Sequence, residues 1–119
     1  MTAPESPSAF LLRAADRLRS LSAPASKGPW RVSFMDGVTP VVDSPGRVVA
    51  EARDLADATW IAGMPPELGP ALAGWLEYEA RQAAGIDAHA GRPVYPLMLA
   101  GYERPLAVAR VILGEAFNG

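Results

Sequence analysis

The sequence of 119 residues contains no cysteine, and this absence excludes several kinds of chemistry. Disulfide bonds, thiolate metal sites and cysteine nucleophiles are all ruled out, and such a composition suits a reducing compartment. Histidine is nearly absent too, since His89 is the only one. Zinc sites usually need at least three protein ligands, and no serine lies near His89, so neither a zinc site nor a catalytic triad is expected.

Long hydrophobic runs are also missing. The longest apolar stretch, residues 94–100, is interrupted by Pro96 and is far shorter than the ~20 residues that a membrane-spanning helix requires. The first ten residues carry neither a basic region nor an uninterrupted apolar run, so no secretory signal is expected. We therefore predict a cytoplasmic protein that makes no membrane contact.

Strong charge of either sign is absent, because the formal net charge is -2. A near-neutral, slightly acidic chain lacks the electrostatic signature of general nucleic-acid binding, so no nucleic-acid partner is expected. A DNA-associated regulator is a weaker alternative, which would need Arg13, Arg17 and Arg19 to form an exposed basic face. A solvated helix surface explains the same three arginines more simply.

What the sequence does contain is typical of one globular domain. Half of the residues are hydrophobic and a fifth are charged, which distinguishes the chain from a disordered one. Its length is close to the usual size of a single domain with one core. We predict a disordered N-terminus over residues 1–7 and a single α+β domain over residues 8–119.

The first periodic pattern predicts a helix over residues 8–22. Ser6 suits the N-cap and Pro7 the first helical position, and the helix should end before Pro24. Apolar residues recur every three or four positions, which is the spacing of one helix face. The residues expected to point inward are Leu11, Ala14, Ala15, Leu18 and Leu21.

Three short runs, over residues 30–35, 38–42 and 47–52, predict an antiparallel meander. In the first run Trp30, Val32 and Phe34 alternate with polar residues, which predicts one buried face with Trp30 as a core anchor. The pair Asp36-Gly37 predicts a hairpin turn. Pro40 in the second run cannot donate a ladder hydrogen bond, so this strand is expected to be an edge strand or to carry a bulge.

The second connection and the later helices follow from local signals. Residues 44–47 read Ser-Pro-Gly-Arg, which suits a type II turn. Three helices are predicted over residues 55–63, 66–84 and 104–113, with Asp54 as the N-cap of the first. Gly85 and Gly114 are expected to end the other two, and Trp75 to lie at the centre of an apolar stripe. The predicted fold is therefore α+β: an N-terminal helix, a three-stranded antiparallel meander, then three helices packed on one face of the sheet.

The segment Gly28-Pro29-Trp30, at the start of the first predicted strand, is one of three segments that resemble a known group of proteins. Together with the Asp-Ala-Thr-Trp-Ile-Ala segment at residues 57–62 and the Trp75-Leu76 pair, it resembles uncharacterised actinobacterial small proteins associated with phages and prophages, the ead-like phage accessory proteins among them. The resemblance covers residues 8–80 and its motifs are structural. It implies a fold and a prophage-linked genomic context, and it implies no active site.

No constellation of residues predicts catalysis. Glu51, Asp54 and Asp57 form the densest carboxylate group, but a capped helix start accounts for the two aspartates without a metal ion. The glycines match neither a phosphate-binding loop nor a dinucleotide fingerprint. We therefore expect no catalytic residues, no cofactor, no metal ligands and no enzyme activity.

Surplus aromatic and methionine side chains favour an interaction protein. So small a core is not expected to hold all of them, and such residues are enriched in interfaces. The candidate partner-contact residues are Trp60, Tyr78, Tyr95, Met98 and Tyr102. We predict an accessory or regulatory protein that acts through protein–protein contacts, with a homodimer as the default assembly. The alternative is a small-molecule-binding domain with a pocket near residues 86–102.

Overall fold

The computed structural model describes residues 4–34 and 37–118, and it shows the predicted α+β fold, in which helices follow a three-stranded antiparallel sheet. The elements, in chain order, are α1 (Pro7–Ser22), β1 (Arg31–Val32), β2 (Thr39–Val42), β3 (Val48–Ala52), α2 (Leu55–Ala62), α3 (Leu68–Asp87), α4 (Tyr95–Ala100) and α5 (Glu103–Leu113). The chain divides into two compact units. We name residues 4–20 with 71–118 the helical unit, and residues 21–70 the sheet unit.

The N-terminal helix begins where the sequence predicts. The Ser6 hydroxyl oxygen accepts a hydrogen bond from the backbone N–H of Ala9 at 3.2 Å, which caps the first turn. Pro7 is the first helical residue and is buried. The predicted disorder covers residues 1–7; of these, residues 1–3 lie outside the described residues, whereas Glu5 and Ser6 form hydrogen bonds and Pro7 belongs to α1. The end of α1 differs from the prediction on one point, because Leu21 is 55% exposed rather than inward-facing.

The core of the helical unit is rich in alanine. Its buried members come from α1, α3 and α5, and small side chains let such helices approach closely. They are Phe10, Leu11, Ala14, Ala15, Ala73, Leu76, Ala80, Ala83, Leu106 and Ala109. The predicted centre of the α3 stripe is wrong, because Trp75 is 36% exposed and the buried face of α3 is the alanine-rich one.

The ends of the later helices correct one prediction and confirm another. α3 continues to Asp87, so Gly85 lies inside the helix and does not end it. Gly114 does end α5, with a left-handed φ of 68° and its N–H donated to the Arg110 carbonyl oxygen. Residues 94–100, which carried no clear pattern, contain the short helix α4.

The sheet has the order β1-β2-β3, with both pairs antiparallel, as a meander requires. β2 is therefore the central strand, so Pro40 does not lie on an edge strand; the ladder irregularity falls between Val41 and Val42. The Pro40 carbonyl oxygen accepts from the Ser33 N–H at 2.9 Å. An N–H group at position 40 would face Ser33, which lies just after the end of β1 at Val32. The N–H that proline lacks is therefore not needed within β1, and this explains how a central strand tolerates Pro40.

The predicted shared face of Trp30, Val32 and Phe34 is wrong. β1 is only two residues long, and Phe34 is 72% exposed while Trp30 and Val32 are half-buried. The Trp30 indole N–H donates to the Ser26 carbonyl oxygen at 2.9 Å, so Trp30 secures the preceding loop instead of anchoring a core. Of the predicted hairpin turn, Asp36 lies outside the described residues.

The turn between β2 and β3 is organised by a buried carboxylate. Gly46 donates its N–H to the Asp43 carbonyl oxygen at 3.0 Å, so the hydrogen-bonded turn begins one residue earlier than predicted. Asp43 is 1% exposed, and its side chain accepts from the backbone N–H of Arg47 at 2.8 Å and from Arg47 Nε at 3.2 Å. These bonds compensate the cost of burying the carboxylate.

Helix α2 completes the sheet unit. Asp54 caps it as predicted, accepting from the Asp57 N–H at 2.8 Å. The helix contacts all three strands and buries Ala58. Within residues 4–34 and 37–118, no helix has the length and apolar composition needed to span a membrane.

Candidate functional site

A cavity of about 290 Å³ lies in the helical unit, between α4, α5 and the segment that follows α5. Most of its wall is apolar, and two charged residues complete it. The lining residues are Pro96, Leu99, Ala100, Glu103, Leu106, Arg110 and Phe117. An apolar cavity with a few polar groups is the usual form of a small-molecule site.

Local sequence signals explain how this cavity is built. Pro96 sits in the first turn of α4, where the missing N–H of proline costs no helical hydrogen bond. Gly114 then takes the left-handed conformation after α5 and turns the chain back on itself. As a result Phe117 packs against the core, with its ring centroid 5.2 Å from that of Phe10 and the planes tilted by 52°. One wall of the cavity is thus supplied by the segment after α5.

That segment is held by a charge cluster around Arg13. The guanidinium group donates to the Glu5 carboxylate at 2.7 and 2.8 Å and also pairs with Glu115. It lies 5.5 Å from the centre of the Phe10 ring. Donation from Arg13 lowers the pKa of Glu5 below its ordinary value, and the two carboxylates raise the pKa of Arg13. The cluster thus joins α1 to Glu115, two residues before Phe117, through an ion pair at the surface.

The two charged residues in the wall, Glu103 and Arg110, lie at opposite ends of α5. Glu103 is the first residue of α5 and Arg110 lies in its last turn, the two ends at which the helix dipole favours these charges. Within the described residues, Arg110 has no carboxylate within ion-pair distance. Arg110 therefore presents an uncompensated positive charge at one end of an apolar cavity.

The predicted partner-contact residues are divided between the two units, and they differ in exposure. Trp60 belongs to the sheet unit and is 71% exposed, whereas the other four belong to the helical unit. Tyr78 is 52% exposed and lies under the Arg81 guanidinium. Tyr95 is buried, and this burial raises the pKa of its hydroxyl group. Met98 and Tyr102 are half-buried. Trp60 and Tyr78 are thus the members of the set that present their side chains to solvent.

The other sequence candidates have ordinary structural roles. Arg13 pairs with carboxylates and Arg19 pairs with Glu77 at 2.5 Å, so acidic neighbours offset two of the three positive charges on α1. His89 is half-buried in the turn after α3 and donates its backbone N–H to Ile86. In the part of the chain that the structure describes, no three His, Cys, Asp or Glu side chains are grouped so as to bind a metal ion.

The sequence draws attention to residues 86–102 but not to the charged residues of the cavity wall, Glu103 and Arg110. The pocket was expected near residues 86–102, and Pro96, Leu99 and Ala100 line it. Arg110 and Phe117 lie outside that window and were not singled out. A signal for Phe117 existed, because an aromatic residue placed shortly after a helix-ending glycine can fold back on the helix.

Comparisons with protein-family models, curated proteins and solved structures found no match. The resemblance to phage accessory proteins therefore stays a prediction, and function has to be argued from the residues themselves.

Proposed function

We propose that the protein acts through protein–protein contacts made by the outer face of α2, with Trp60 at its centre. The observation that carries this proposal is the exposure of Trp60, which is 71%. Tryptophan in interfaces contributes a large apolar area and is enriched among the residues that dominate binding energy. A cytoplasmic accessory or regulatory role, linked to a prophage, is the biological setting that we attach to this proposal.

The composition of α2 supports the choice of this face. Among its eight residues Asp57 alone is charged, and the helix buries Ala58 on its inner side. Trp60 lies on the side of the helix opposite Ala58, and Leu55, in the first turn, is also exposed, at 49%. A surface helix normally carries charged residues on its outer face, and a helix that is apolar on every side is normally covered. A second copy of the chain is the default partner, because closed two-fold dimers are the commonest assemblies.

Sedimentation analysis from low to high micromolar concentration tests the proposal. The wild-type protein should dimerise with rising concentration, and Trp60→Glu should remain monomeric because a charge is placed at the interface centre. Leu97→Glu is the matched control, since Leu97 is 78% exposed on α4 and belongs to the helical unit. A wild-type monomer at high micromolar concentration contradicts the homodimer, and equal dimerisation of both variants contradicts an interface centred on Trp60.

The cavity favours a second function, the binding of a small molecule. Its volume is near the lower end of the range for ligand sites, and its wall combines apolar side chains with two charges. A thermal-shift screen checks this function, because a ligand that binds only the folded state raises Tm by mass action. Compounds that raise Tm should lose their effect when Ala100→Trp fills the cavity.

A further inference from the structure

We propose that the cavity between α4 and α5 binds a monocarboxylate with an apolar body, and that Arg110 holds its carboxylate group. The proposal rests on the small-molecule function given above. The volume of about 290 Å³ equals the share of liquid occupied by about ten water molecules, which sets the ligand size on the order of ten non-hydrogen atoms.

The positive end of the cavity selects the ligand's charge. A guanidinium group presents a planar fork of N–H donors that matches the two oxygens of a carboxylate. Arg13 already has its carboxylate partners, in Glu5 and Glu115. Arg110 lines the cavity and, among the described residues, has none. An anionic ligand group therefore complements Arg110 without displacing an existing ion pair.

The negative end of the cavity orients the ligand. Glu103 precedes Arg110 by two turns of α5, about 10 Å along the helix axis at 1.5 Å per residue. A carboxylate next to Glu103 would be repelled, so the anionic group lies at the Arg110 end and the far end of the ligand must be uncharged or a hydrogen-bond donor. This arrangement discriminates against dicarboxylates of the same length.

The wall between the two charges accepts the apolar body. Leu99, Leu106 and Phe117 face the space, and Leu106 is 6% exposed, so the floor belongs to the core and is not a mobile surface. A linear chain of about eight carbons has a length close to the rise of about 10 Å along α5 from Glu103 to Arg110. Octanoate is accordingly the probe of choice.

The test is an NMR titration of backbone amides with octanoate, octanamide, octylamine and octanedioate. Octanoate should bind most tightly, and the shifted amides should be those of α4, α5 and residues 114–118. Arg110→Gln should weaken octanoate binding about tenfold, because a hydrogen bond to a charged group is lost. Arg104→Gln is the matched control, since Arg104 is on the same helix but does not line the cavity; it lines an adjoining, more polar depression with Trp75 and Glu79.

Each outcome bears on the proposal. Tenfold weakening in Arg110→Gln, unchanged binding in Arg104→Gln and weak binding of octanedioate support it. If octanamide or octylamine binds in the cavity as tightly as octanoate, the small-molecule function stands and the carboxylate assignment is wrong. If none of the four compounds shifts the amides of α4 and α5, both are wrong. Amide spectra of the unliganded variants, unchanged beyond the substituted helix, show that folding is intact.

Discussion

The helical unit buries Phe10, Leu11 and Leu76 almost completely, whereas the sheet unit leaves Phe34 and Trp60 about seven-tenths exposed. Among the described residues of the sheet unit, the buried hydrophobic ones are Val41, Val42 and Ala58, and this is little for a three-stranded sheet with one helix. Hydrogen bonds in turns and helix caps, such as those of Asp43 and Asp54, therefore contribute more to the structure of the sheet unit than to that of the helical unit. One chain thus combines a helical unit held by the packing of buried side chains with a sheet unit that relies on local hydrogen bonds and leaves large apolar side chains exposed.

The largest expected effect is a truncation in the core of the helical unit. Leu76→Ala should lower the free energy of unfolding by about 3–4 kcal/mol, because a fully buried leucine is replaced by a cavity. Val41→Ala, at an equally buried site of the sheet unit, removes fewer methyl groups and should cost about 2 kcal/mol. Urea unfolding measures both, with hydrogen exchange reporting each unit separately. An equal loss from the smaller truncation at Val41 would show that the sheet unit depends on packing at least as much as the helical unit does.

The next effect concerns the buried carboxylate of the sheet unit. Asp43→Ala should cost about 2 kcal/mol, because the Arg47 N–H loses its acceptor in a protected turn. Arg47→Ala is the control, since it keeps that backbone bond and removes a guanidinium whose side chain is 74% exposed. It should change stability by less than about 1 kcal/mol. Thermal unfolding of the two variants decides whether the backbone bond or the ion pair matters.

Two glycine substitutions should have opposite signs. Gly85→Ala should stabilise the helical unit by about 0.5–1 kcal/mol, because Gly85 lies inside α3 and the added Cβ meets nothing within 4 Å. Gly46→Ala should destabilise the sheet unit by about 1–2 kcal/mol, because Gly46 has a φ of 94°. The sequence-based view of Gly85 as a helix end predicts destabilisation at both sites, so the sign of the urea midpoint shift for Gly85→Ala separates the two views.

The smallest effect is the pH dependence of the cluster around Arg13. The pKa of Glu5 is lowered in the folded state, so its contribution is fully present above the unfolded pKa of about 4.3 and is lost as the pH falls through the lowered value. The difference in urea midpoint between wild type and Glu5→Gln should be constant near neutral pH and should shrink in acid. A difference that persists unchanged at pH 2 would show that the ionised pair is not its source.

Local signals made the caps and the element order predictable. Ser6, Asp54 and Gly114 act through hydrogen bonds to neighbours three or four residues away, so the sequence around each is enough. Which apolar face is buried depends on distant partners. In α3 three alanines face the core beside Leu76, whereas Trp75 does not, although tryptophan is far larger than alanine; the three are Ala73, Ala80 and Ala83. Close helix packing favours small side chains, and no local pattern reveals that.

The candidate site was predictable only as a region, for a related reason. α4 has six residues, which are too few to show a helical period. Its proline, Pro96, also argues against a helix unless it is placed in the first turn. The charged end of the cavity requires Arg110 and the aromatic wall requires Phe117, which Gly114 brings back from beyond α5. A change of chain direction at one residue thus decided what the cavity contains.

The order of the units along the chain has a consequence for biosynthesis. The helical unit is assembled from residues 4–20 and 71–118, and the whole sheet unit is encoded between them. At the usual rate of translation, roughly 5–20 residues per second, several seconds pass between the synthesis of α1 and the synthesis of α3 and α5. During that time Phe10 and Leu11 have no core partners and are available to chaperones or to other nascent chains. The sheet unit, which is continuous in sequence, is complete before the first helix finds its place.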